Sequence, residues 1–217
     1  MNALLFLSPL LANWSTFLVL FGFYILFKIL ASRRIKGRIG EAVVKRTVLD
    51  RLDPALYRHF HDLYLPRPDG QGSTQVDHVI VSPFGIFVIE TKNYNGWIFG
   101  SETQRQWTQQ IYRTKHRFQN PLHQNHLHVK ALIQFLGLRE KAFHSLVYFI
   151  GGAEFKTPMP GNVLNHGLLS WIKKHSTPLL NFDAIQIATS LLESLNQSTD
   201  RKTAARDHSK ALAARNA

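Results

Sequence analysis

Asp77, Glu90 and Lys92 are the residues whose types and spacing most readily do chemistry. They sit in two β-rich runs, TQVDHVIV over 74–81 and GIFVIETK over 85–92, around Ser82-Pro83-Phe84-Gly85. If Ser82 and Gly85 close a two-residue loop, Asp77 falls directly opposite Glu90. Side chains alternate faces along a strand. Gln75, Asp77, Val79 and Val81 then share one face, and Ile86, Val88, Glu90 and Lys92 share one face of the partner strand. Two carboxylates and an ammonium gather at one end of an apolar face. Like charges directly opposite on a sheet destabilise it. A divalent cation relieves that cost, because Mg²⁺ takes oxygen ligands and is commonly held by one or two carboxylates plus water and substrate phosphate. Lys92 can balance the charge, orient a water or stabilise a phosphorane. A purely structural salt-bridge cluster is the competing reading.

The elements that must position these groups are legible around them. Residues 37–52 form an amphipathic pattern, with apolar Val44, Val48 and Leu52 on one stripe. Glu41 heads that stripe and is expected to point at the sheet. Residues 57–65 read as a strand, 66–74 as a loop, and Asn95-Gly96 as a hairpin signal before a strand over 97–99. Asn120-Pro121 opens a helix running to about Gly137, with Asn as cap and Pro at the first position. A strand over 145–150, a short strand and helix within 161–175, and a helix over 181–195 follow. Trp97, Trp107 and Tyr112 are expected to be core or half-buried rather than base-stacking. His123 and His126 share a helix face, but no third zinc ligand is evident, and with His128 they read as a polar helix face.

In order along the chain stand Gly37-Arg38-Ile39-Gly40-Glu41, Val76-Asp77-His78-Val79, Gly85 through Asn93, Gly96-Trp97, Trp107 and Asn120-Pro121-Leu122-His123-Gln124. The Asp77…Glu90-Thr91-Lys92 spacing resembles the D…(D/E)xK signature of restriction-endonuclease-like nucleases. The fuller series resembles the nuclease-related domain (NERD) family over about 37–150. That resemblance implies an α/β fold with a mixed central sheet flanked by helices. It implies Mg²⁺ (or Mn²⁺) ligated by Asp77 and Glu90, with the Thr91 carbonyl as a further ligand. It places Lys92 near the scissile phosphate, Glu41 at a second metal or its water, and Gln124 beside the site. The expected activity is hydrolysis of phosphodiester bonds in DNA or RNA. A non-catalytic, membrane-tethered nucleic-acid-binding or scaffolding module is the alternative.

Charge and hydropathy bound the rest. The chain of 217 residues carries a formal net charge of +12 and no cysteine, which excludes disulfides, thiolate metal sites and cysteine nucleophiles. Nine of the twelve net charges lie in residues 1–38 and 201–217. Residues 10–30 are apolar enough for a bilayer-crossing helix, which takes roughly 20 residues. Arg33, Arg34, Lys36 and Arg38 follow at once, so the positive-inside rule puts the C-terminal part in the cytoplasm, at the cell (inner) membrane. No charged side chain precedes Lys28, unlike a cleaved signal peptide; a buried core helix is the other alternative. Arg105, Arg113, Lys115 and Arg117 form a basic run that suits backbone phosphate and equally a merely solvated surface. Arg105, Arg113 and Lys115, with Gln124, are the candidate substrate-binding residues. The expected organisation is an anchor (1–32), a nuclease-like domain (33–175), a C-terminal helix (176–196) and a basic tail (197–217). Protein partners are not indicated.

Overall fold

In the computed structural model, residues 18–25, 44 and 49–198 are described. The chain divides into two compact units, Met1–Ile39 and Gly40–Ala217. In the first, residues 18–25 are helical and Leu18, Phe21 and Phe23 are exposed. Among the described residues no helix is long and apolar enough to cross a membrane. The expected span over 10–30 lies outside the described residues apart from these eight. So do the motif at 37–40, Glu41, and the tail from 199 onward.

The second unit is α/β. One strand group comprises β1 (Arg58–Pro66), β2 (Ser73–Ser82), β3 (Gly85–Asn93), β7 (Phe143–Ile150) and β9 (Val163–Leu164), in the order β1-β2-β3-β7-β9. A second sheet comprises β4 (Gly96–Phe99), β5 (Gln106–Ile111), β6 (Thr114–Gln119) and β8 (Ala153–Phe155), in the order β6-β5-β4-β8. Helices α1 (Pro121–Leu136), α2 (Leu168–Lys174) and α3 (Phe182–Ser198) complete the unit. Both sheets are mixed: β3 pairs β7 in parallel and β4 pairs β8 in parallel, while the hairpins are antiparallel.

One central sheet is expected from the sequence; two are found. The reason lies at Asn93-Tyr94-Asn95 and Gly151-Gly152. There β3 passes into β4 and β7 into β8, side by side. Tyr94 N–H donates to Ile150 O at 3.0 Å, and Gly96 N–H to Gly152 O at 3.0 Å. Asn95 Oδ1 accepts from Gly152 N–H at 2.8 Å. Gly151, at φ 92, holds a conformation that favours glycine, and a Cβ there would lie 2.7 Å from Asn95 Oδ1. Asn95-Gly96 is therefore a bend between sheets and not the tip of a hairpin, since β4 pairs with β5 and β8. The β5–β6 hairpin and β8 have no counterpart in the sequence reading. Their polar residues give no apolar run.

The apolar run Ile86–Ile89 is buried on both faces, as a strand covered by helices must be. Val79, Val81, Ile86 and Val88 pack against Val129, Leu132 and Leu136 of α1 and Ala188 and Leu192 of α3. Ile80, Phe87 and Ile89 pack on the other side with Val44, Leu49, Leu52 and Ile172. Phe60, Leu63 and Leu65 join the α1 side although their numbers differ in parity. Asp62, at φ 54, stands between them and breaks the alternation. The last helix is thus part of this core.

A parallel β3–β7 pair needs a long crossover, normally helical, and α1 lies within it. Asn120 caps α1: its Oδ1 accepts from Leu122 N–H at 2.9 Å. Its Nδ2 donates to the carbonyls of Ser101, Glu102 and Gln104 at 3.2, 3.1 and 2.7 Å, tying the helix start to the second sheet. Buried Asn125 ties the same helix to the first sheet. Its Nδ2 reaches Val88 O, Ser145 Oγ and Leu146 O at 3.0, 2.9 and 3.1 Å. Gly137 ends α1 in the left-handed region, at φ 65.

Candidate active site

The β2–β3 register sets the site. Ser82 pairs Gly85 and His78 pairs Ile89, so Asp77 and Glu90 come opposite one another just past the last regular bridge. The ladder stops there because Asp77 replaces a backbone partner. Its Oδ2 accepts from the Thr91 N–H at 2.8 Å and from the Thr91 hydroxyl at 3.0 Å. Glu90 also pairs Val147 of β7 on its other edge, which buries it in the sheet interior.

Lys92 lies on the Glu90 side, as the alternation predicts. Its Nζ donates to Glu90 Oε1 and, at 2.9 Å, to Gln124 Oε1 of α1. Glu90 Oε2 is 3.4 Å from His128 Nδ1 and accepts no hydrogen bond. Gln124 and His128 are one helical turn apart, so one face of α1 closes over the carboxylate. Asn125 between them fixes the height of that turn on the sheet. His128, buried and beside Glu90, is missed by the sequence reading, which placed it on a polar helix face; its i,i+4 spacing from Gln124 was the available signal. His123 faces Glu102 O at 3.1 Å and His126 is exposed.

The electrostatics follow from crowding. Burial first, and repulsion from Glu90 second, push the Asp77 carboxyl up to about 7, against the pull of Lys92 and the Thr91 N–H. Burial likewise raises Glu90, offset by Lys92. Burial alone would lower the Lys92 ammonium. The attraction of Glu90 and Asp77 overrides it and holds Lys92 above its ordinary value. Two facing carboxyls that resist ionising together, with one buried oxygen lacking a donor, fit a divalent cation. No group of three or more His, Asp or Glu side chains poised for a metal occurs among the described residues. Asp77 and Glu90 offer oxygen atoms, the ligand type that hard divalent cations take.

A family model described as nuclease-related domain, NERD, matches residues 36–150. The chain belongs to the NERD family. A restriction-endonuclease-like assignment is consistent with that membership. An uncharacterized protein of Bacillus anthracis is 50% identical over 97 residues, covering 45% of each chain. The present chain thus spans under half of that relative's length. No solved structure matches the chain.

Within the NERD domain, the remaining expected site residues do not all converge. Gln124 reaches the carboxylate cluster through Lys92. Arg105, Arg113 and Lys115 belong to the second sheet: Arg105 precedes β5, Arg113 lies in the β5–β6 turn and Lys115 in β6. Trp107 is buried in the core, stacked on Phe149 with ring centroids 6.1 Å apart. Trp97 and Tyr112 depart from expectation and are exposed, Tyr112 to 94%.

Proposed function

We propose that the chain is a membrane-tethered, divalent-metal-dependent nuclease that hydrolyses phosphodiester bonds in DNA or RNA. The nuclease-related family supports a nuclease-related activity and contact with nucleic acid. The observation that carries the reading is the buried Glu90 facing Asp77, with Lys92 shared between Glu90 and Gln124. Asp77 and Glu90, with the Thr91 carbonyl, would hold Mg²⁺ or Mn²⁺. Such an ion supplies Lewis-acid polarisation of a phosphoryl oxygen and an acidified water. The Thr91 N–H and hydroxyl hold Asp77 in one rotamer. Gln124 steers the Lys92 ammonium, which stays charged and can meet phosphate oxygen as negative charge develops. Glu41 would bind a second ion or its water. Residues 10–30 would anchor the chain in the cell (inner) membrane with the NERD domain on the cytoplasmic side.

The test is cleavage of labelled single- and double-stranded DNA and RNA by the full chain with Mg²⁺ or Mn²⁺, beside Asp77→Ala and Lys92→Ala. Loss of about 10²–10⁴-fold in rate in both folded variants is expected for groups of this kind. Absence of cleavage by the folded wild type, with no ion bound, sinks the reading.

One observation favours a second reading. Lys92 Nζ donates to Glu90 Oε1, and His128 Nδ1 lies 3.4 Å from Oε2. On that view the cluster is structural and the protein a tethered, non-catalytic nucleic-acid-binding or scaffolding module. It predicts nucleic-acid binding that is unchanged by Glu90→Ala and by chelators.

A further inference from the structure

The second sheet has one buried face and one open face. Ile98, Trp107 and Phe118 turn inward onto Val147 and Phe149. By alternation, Trp97, Phe99, Thr108, Lys115 and Arg117 turn outward. The β5–β6 register aligns Gln110 with Lys115, Thr108 with Arg117 and Gln106 with Gln119. Two cavities lie along this face. One, of about 540 Å³, is lined by Phe99, Thr108, Gln110, Lys115 and Arg117. The other, of about 610 Å³, is lined by Arg105, Gln106, Gln119 and His123. His123 in that lining belongs to the first turn of α1 and precedes Gln124 in the sequence.

Charge on β5, β6 and their flanks is of one sign, and the acid on this face, Glu154 of β8 opposite Trp97, is paired with Lys156. Between Thr103 and Gln119 the sequence has four Lys and Arg residues and no Asp or Glu. Arg105, Arg113, Lys115 and Arg117 are exposed and form no ion pair among the described residues, whereas Lys92, Lys130 and Lys156 each have an acidic partner. Aromatic groups interleave with these cations. Trp97 is 45% exposed, with Lys156 Nζ 4.9 Å from its ring centroid, and Phe99 is half-buried. Tyr112 stands at the hairpin tip at φ 51, a conformation that L side chains rarely adopt. A strained, fully presented tyrosine has no packing role.

We propose that this outer face is a track for single-stranded nucleic acid, in which Arg105, Lys115 and Arg117 hold phosphates and Trp97 and Phe99 stack bases on the way to Gln124. The proposal rests on the nuclease reading and names the substrate class of that site. An acidic protein would answer to the cations without using the rings; an anionic membrane would take both, and the vesicle arm of the test separates it. A duplex keeps its bases stacked on each other, so among nucleic acids only an unpaired strand can use both features.

The experiment is fluorescence anisotropy of the full chain in non-ionic detergent and EDTA, against a labelled oligothymidylate of about twenty nucleotides and a duplex of the same length. Preference for the single strand is expected. Trp97→Ala should weaken it on the order of tenfold, within the range for one lost stacking partner. Lys115→Gln with Arg117→Gln should lower the slope of log K against log salt by about 1.4, at ~0.7 per single-strand phosphate contact. Equal or tighter duplex binding, or single-strand affinity unmoved by all three substitutions, overturns the proposal. Binding as expected without cleavage in Mg²⁺ upholds the track and defeats the nuclease reading instead. Tighter binding to anionic vesicles than to the oligonucleotide, lost in the Lys115 and Arg117 variant, also overturns it.

Discussion

Asp77 and Glu90 repel one another across the end of a hairpin, and that repulsion has a measurable consequence. Asp77→Asn keeps an oxygen for the Thr91 N–H and removes the like charge. The metal-free variant should therefore melt higher than wild type. Wild type, and not the variant, should gain several degrees of Tm in excess Mg²⁺, since a ligand at 100 times its Kd adds about 2.7 kcal/mol. Scanning calorimetry with and without EDTA checks both. A lower metal-free Tm in the variant, or an equal Mg²⁺ response, would contradict the crowding account.

Among the elements, α1 does most of the positioning. It carries Gln124 and His128 to Glu90, and Asn125 fastens it to Val88, Ser145 and Leu146. Asn125→Ala removes all three bonds and is expected to cost about 2–4 kcal/mol, by the usual worth of buried hydrogen bonds. Urea denaturation measures it; a change under about 0.5 kcal/mol would mean that the helix is held by its apolar face alone.

The β3–β7 edge offers a pH test. His144 Nε2 lies 2.9 Å from the Phe84 carbonyl, and the His175 ring is tilted against it with centroids 4.2 Å apart. Burial, with the neighbouring His175, holds His144 below its ordinary value of 6.5, against the Phe84 hydrogen bond. The unfolded chain then binds protons more readily than the folded one. The resulting stability is present above pH 6.5 and is lost as pH falls below it through the lower folded value. His144→Gln should flatten the fall in Tm between pH 7.5 and 5.5. An unchanged pH profile would remove His144 from the account.

At the scale of the whole molecule, the tether and the domain make separate claims. If residues 10–30 anchor the chain, the full-length protein should stay with the membrane fraction after alkaline carbonate washing. Replacing Phe21 and Phe23 by Arg should release it, because charge at a helix centre costs about 2.5–3.5 kcal/mol per residue. Retention of that variant, or release of wild type, would count against a spanning helix. The coupling of Asn120 to the second sheet and of Asn125 to the first makes α1 the common support of the basic face and the carboxylates.

Legible along the chain are the hairpin register, the opposition of Asp77 and Glu90, the side on which Lys92 lies, the capped α1 and its Gln124, and membership of the NERD family. Each depends on local rules: period-two alternation, turn closure, cap chemistry and motif order. Only the tertiary structure decided that Asn95-Gly96 bends one sheet into another and that the polar segment 106–119 forms a hairpin. It alone brought buried His128 to Glu90 and left Trp97 open while Trp107 is core. Those outcomes depend on which surfaces meet. A polar strand is stabilised by its neighbours' backbone groups rather than by its own pattern, and a histidine's burial is set by the sheet beneath its helix.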